Sequence, residues 1–77
     1  MMMEQKNREK YVELNAYLKA VGVCSSGGEA KNLIRSGEVF VNSEVEIRNK
    51  KKLYVGDLVK VSGEKYIVKS EFCLKEL

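Results

Sequence analysis

Arg48-Asn49-Lys50-Lys51-Lys52 puts four positive charges into five residues with no acid among them. Side chains of this kind bind anions. A run this dense repels itself unless something negative lies against it, and a nucleic-acid phosphate backbone is the usual partner. A solvated loop is the plainer reading of the same run. The rest of the chain is close to neutral: residues 1–25 carry +1, residues 26–47 carry −2, and the acids and lysines from Leu53 onward cancel. The net charge of +3 therefore resides in this one segment.

Two weaker signals point the same way. Lys31 and Arg35 are spaced i, i+4, which puts them one turn apart on a helix, where like charges cost a few tenths of a kcal/mol (~0.2–0.5) unless an anion sits between them. Ser25-Ser26-Gly27-Gly28 places two glycines where a helix begins, although glycine is a poor helix former. Without Cβ atoms, Gly27 and Gly28 would let a phosphate reach the unpaired amides at the positive end of a helix. The alternative is that they permit a sharp turn and close packing between helices. The segment lacks the Gly-Lys-Ser/Thr ending of a nucleotide phosphate loop.

Enzymatic readings find little to stand on. The chain has no histidine, so neither a Ser-His nor a Cys-His pair can be assembled, and the commonest metal ligand is missing. Cys24 and Cys73 fit no metal-ligand spacing and read as buried small apolar groups, with a disulfide as the lesser alternative. The carboxylates are scattered beside lysines, as solvated surface charge usually is. Catalytic residues, metal ligands and cofactors are all expected to be absent. Tyr11, Tyr17 and Tyr54 could stack on bases, but each falls within an apolar pattern and is expected in the core or at its edge.

The elements that must position these groups follow from the apolar periods. Tyr11-Val12-Glu13 reads as a short extended entry. Leu14, Tyr17, Leu18 and Val21 then line one helix face, closed by Gly22 with Val23 as the capping contact. Ser26 and Glu29 have the spacing of a capping box for a second helix with Ala30, Leu33 and Ile34 inside, ended by Gly37. The period then becomes two. Val39 and Val41, a turn at Asn42-Ser43, then Val45 and Ile47 precede the basic loop; Leu53-Tyr54-Val55, Leu58 to Val61 and Tyr66-Ile67-Val68 follow, joined by Gly56-Asp57 and Ser62-Gly63-Glu64. The tail from Glu71 is ambiguous between strand and helical turn. Helix, helix, then short strands makes an α+β domain: two short N-terminal helices packed on a small, bent, mainly antiparallel sheet.

A chain of 77 residues holds one core. We expect a single domain over residues 11–77 after a polar, flexible tail at residues 1–10. No apolar run approaches the ~20 residues of a membrane helix, nor is there a secretory signal, so a cytoplasmic monomer is expected.

The stretch from Leu14 to Val61 resembles the S-four domain, the RNA-binding module named after a small-subunit ribosomal protein. The matching residues are Leu14-Asn15-Ala16-Tyr17-Leu18, Gly22, Ser26-Gly27-Gly28-Glu29-Ala30-Lys31-Asn32-Leu33-Ile34, Gly37-Glu38-Val39-Phe40-Val41-Asn42, and Leu53-Tyr54-Val55-Gly56-Asp57-Leu58-Val59-Lys60-Val61. Small stand-alone bacterial members (the YaaA/YbcJ type) share the Gly-Gly-Glu-Ala-Lys helix start and the basic loop. The resemblance implies RNA bound across the helices and the adjacent loop, with Lys31, Arg48 and Lys50 to Lys52 at family basic positions. Glu13 and Gly27 stand where many members have arginine, and Ser43 replaces the usual glycine after Asn42. The expected partner is structured RNA, rRNA or tRNA, on the ribosome or with a ribosome-associated protein. Contacts are expected from Lys31, Arg35, Arg48, Lys50, Lys51, Lys52 and the amides of Gly27 and Gly28. The alternatives are a module docking on a protein partner without free RNA, and a DNA-binding helix-turn-helix protein, for which Lys31, Asn32 and Arg35 are few base-reading side chains.

Overall fold

The computed structural model describes residues 10–76. Strand β1 (Lys10–Glu13) runs directly into helix α1 (Leu14–Ala20), whose Leu14, Tyr17 and Leu18 are buried. Gly22, at φ +84°, ends this helix in a left-handed residue: its N–H donates to Lys19 O at 3.1 Å, and the Val23 N–H to Leu18 O at 2.9 Å. This is the C-terminal cap that the Gly22-Val23 pair implies. Helix α2 (Gly27–Arg35) opens with Ser26 Oγ accepting from the Glu29 N–H at 3.1 Å. The Glu29 carboxylate reaches one residue further back than a capping box requires, accepting from the N–H and Oγ–H of Ser25 at 2.7 and 2.8 Å. Those bonds hold its carboxyl below the usual carboxylate range.

The expected bent sheet resolves into two small antiparallel sheets. Strands β2 (Val39–Val41), β3 (Glu44–Val45), β5 (Leu58–Val61) and β6 (Glu64–Ile67) form one in the order β3-β2-β5-β6. Strand β4 (Lys52–Leu53) and β7 (Lys75–Glu76) flank β1 in the other. The break falls at Tyr54 to Asp57, where an aspartate-centred turn ends β4 after two residues, so Tyr54 and Val55 lie outside the strand expected for them. Ile47 likewise lies beyond β3, and Val68 beyond β6, which instead begins at Glu64, a residue expected in the turn. The ambiguous tail takes both forms, a 3₁₀ turn at Ser70–Phe72 followed by β7. β1 begins at Lys10, one residue inside the expected tail, whose other residues lie outside the described ones.

The inward residues of β2 and β5, Val39, Val41, Val59 and Val61, form one core with Leu14, Tyr17, Leu18, Ala30, Ile34, Leu53 and Val68. Burying each of the larger aliphatic chains contributes about 1.5–3 kcal/mol. Cys24 and Cys73 belong to this core as free thiols, each pushed up from its ordinary pKa chiefly by burial, so the disulfide alternative falls. The outer face of the larger sheet is open, with Phe40 registered between Val45 and Lys60. No helix among the described residues is long and apolar enough to cross a membrane.

Candidate nucleic-acid interface

The basic loop leaves β3 through Glu46, and that residue changes its charge. Arg48 Nε donates to Glu46 Oε2 at 2.8 Å, its Nη2 to Oε1 at 3.2 Å, and its backbone N–H to Oε2 at 3.0 Å. The hydrogen bond from the guanidinium holds the Glu46 carboxyl below its usual range, and the same contact raises Arg48. A two-pronged pair of this kind is stronger than a single contact between ions. Arg48 is thus partnered, and the cations in the loop without an acidic partner among the described residues are Lys50, Lys51 and Lys52. The acid–Arg spacing of two residues is present in the sequence, but counting Glu46 with the preceding segment hides it.

The loop's shape is set by α1. That helix has no side-chain cap and no acid in its first turn. Its orphan amides are met by the loop instead: the Leu14 N–H donates to Lys51 O at 2.8 Å and the Asn15 N–H to Asn49 O at 3.0 Å. The helix start therefore anchors the loop main chain at two points. Asn15 Oδ1 and Asn49 Oδ1 are buried at this joint with no protein donor within hydrogen-bond range. Arg48, Lys50, Lys51, Lys52 and Tyr54 line an open groove of about 470 Å³.

Aromatic rings flank that groove. Lys52 Nζ sits 5.3 Å from the centroid of the Tyr11 ring, and Tyr11 meets Tyr54 at 6.1 Å with a tilt of 50°. Only Tyr17 of the three tyrosines is in the core, at 1 % exposure, with its ring edge-on to Phe72; Tyr11 and Tyr54 are half-buried beside the lysines. Tyr54 is fixed through Asp57, whose Oδ2 accepts the Tyr54 N–H at 2.8 Å while the Asp57 N–H donates to Tyr54 O at 3.0 Å. Asn42 ties this turn to β5: its Nδ2 donates to Asp57 Oδ1 at 3.2 Å and its Oδ1 accepts from the Leu58 N–H at 3.0 Å.

On α2, Lys31 and Arg35 are exposed, without acidic partners among the described residues, and do not line the groove. Arg35 also occupies the last turn, where a cation is favoured by the helix dipole. Gly27 and Gly28 are the first two helical residues. Neither has a positive φ, and a Cβ at either position would meet nothing within 4 Å, so the close-packing explanation for this pair falls. Among the described residues no three His, Cys, Asp or Glu side chains converge as metal ligands.

A family model described as "S4 domain", the S-four module of the resemblance above, matches residues 5–69. The chain is 44 % identical over 52 residues to the probable ribosome maturation protein RlbA of Bacillus subtilis (strain 168), covering 68 % of this chain and 73 % of that one. Among solved structures, 30S ribosomal protein S4e from Thermoplasma acidophilum superposes with a TM-score of 0.62 at 21 % identity, over 91 % of this chain. The match takes in only 38 % of that longer protein, and at this identity it speaks to the fold alone. Two helices with their glycine-capped ends, strands on one core and the family match over most of the length agree: the chain belongs to the S4 domain family.

Proposed function

We propose that this protein binds structured RNA, rRNA or tRNA, through phosphate contacts and performs no chemistry on it. The observation that carries the reading is the groove lined by Lys50, Lys51 and Lys52, which have no acidic partner among the described residues, in a loop whose main chain is held to the start of α1 at Asn49 and Lys51. A loop main chain that is already held forfeits little backbone freedom when a phosphate arrives, and shape plus backbone charge is how proteins recognise folded RNA. Lys31 and Arg35 extend the positive surface along α2, the first-turn amides of Gly27 and Gly28 offer a phosphate donors, and Arg48 joins when its pairing with Glu46 is exchanged. Family membership and the ribosome-maturation name of the Bacillus relative support a ribosomal setting in the cytoplasm.

The test is fluorescence anisotropy of a labelled structured RNA and a matched DNA duplex at several salt concentrations. RNA should be preferred. Replacing Lys50, Lys51 and Lys52 together by glutamine should flatten the slope of log K against log salt by roughly 2–3, at ~0.7–0.9 for each phosphate that is no longer neutralised. An unchanged slope would exclude the groove as the phosphate site. Salt-insensitive binding to a protein partner, with no RNA bound, would favour the docking alternative.

A further inference from the structure

We propose that Tyr54, braced by Tyr11, is a stacking platform for one unpaired base of the RNA whose phosphates Lys50 to Lys52 hold; this rests on the RNA-binding reading of the same groove. Three observations lead to it. Tyr54 lines the groove with the lysines, whereas an aromatic serving only the core would be enclosed as Tyr17 is. The two rings meet at 50° rather than face to face, so they do not stack on each other and consume their own faces. Lys52 Nζ lies 5.3 Å from the Tyr11 centroid, and Tyr11 lies 6.1 Å from Tyr54, which places cation and rings within the reach of a single nucleotide.

Rigidity completes the case. Tyr54 is held on both its N–H and its carbonyl by Asp57, and Asn42 fastens that turn to β5, so the backbone that carries the ring needs little ordering when a base arrives. Cationic grooves with aromatic faces are what unpaired nucleic acid requires, since every base offers a π-face and stacking tolerates sequence. A continuous duplex keeps its base faces stacked on one another and cannot use such a platform. The ligand class is therefore structured RNA with a bulged or splayed nucleotide beside a helix.

The decisive comparison is between two hairpin RNAs that differ only at one bulged position, a normal nucleotide in one and an abasic residue in the other. Their phosphate counts are identical. The full-length protein should bind the base-containing RNA at least about fivefold more tightly, the lower end of what stacking one base on an aromatic provides. Tyr54→Leu should bring that ratio close to one with the salt slope unchanged, while Tyr54→Phe should preserve it. Equal affinity of the unmodified protein for the two RNAs, with a steep salt slope, would overturn the platform and leave the phosphate reading intact; so would a preference that survives Tyr54→Leu. Failure to bind either RNA at low salt would overturn both.

Discussion

Glu46 decides how much of the basic loop's charge reaches a ligand. Its two carboxylate oxygens engage Arg48 at 2.8 and 3.2 Å, which leaves Lys50, Lys51 and Lys52 as the loop cations without an acidic partner among the described residues. Glu46→Gln should free the guanidinium, tighten RNA binding at low salt and steepen the salt slope by about one phosphate contact, ~0.7–0.9, in the same titration. The pair also makes stability depend on pH. The folded carboxyl is held below its ordinary value, so as the pH falls the unfolded chain takes up the proton first. The contribution is complete above the ordinary carboxylate value of about 4.3 and is lost as pH falls through the lower folded value. Thermal melts from about pH 6 to pH 3 should show a smaller acid-induced loss for Glu46→Gln than for the unmodified protein.

At the scale of elements, the turn between β2 and β3 carries a correctable strain. Asn42 and Ser43 both have positive φ, at +52° and +75°. Asparagine tolerates the left-handed region, but serine gains no comparable relief, and a left-handed residue with a Cβ costs roughly 1–2 kcal/mol. Ser43→Gly removes that cost against a loss of about 0.5–1 kcal/mol from the freer unfolded chain. The net expectation is a stabilisation of about 0.5–1 kcal/mol, read as a rise in Tm of roughly 2–8 °C. The opposite sign is expected at the neighbouring turn. Asp57→Ala deprives the Tyr54 N–H and the Asn42 amide of their acceptor and should lower stability by about 1–3 kcal/mol in urea unfolding, which also tests whether that turn sets Tyr54.

For the whole molecule, one small core supports both the helices and the sheets. Leu18 and Ile34 are fully enclosed, one on each helix. Truncating either to alanine costs about 2–5 kcal/mol. A domain of this size holds only the lower part of the usual ~5–15 kcal/mol, so either change should abolish a large share of the cooperative melt seen by circular dichroism. Ile34→Ala should also reduce RNA affinity, because the helix it seats carries Lys31 and Arg35.

The sequence by itself determined the two helices, their apolar stripes, the left-handed glycines that close them and the alternating strands β2 and β5. These are local properties: the period says which side of an element faces inward, and a glycine at a helix end marks where the chain must turn left-handed. It also located the basic loop, since charge density is a matter of counting. What the periods could not say is which distant segment completes each element. The start of α1 is capped by carbonyls from Asn49 and Lys51, more than thirty residues away along the chain. Tyr11 and Tyr54 share apolar surroundings with Tyr17 in the sequence, yet only the fold brings the first two together at the rim of the groove and encloses the third. The division into two sheets likewise follows from side-chain hydrogen bonds of Asp57 and Asn42 that no periodicity records. Burial patterns are written along the chain, but the partners of backbone amides and surface rings are settled only when remote segments meet.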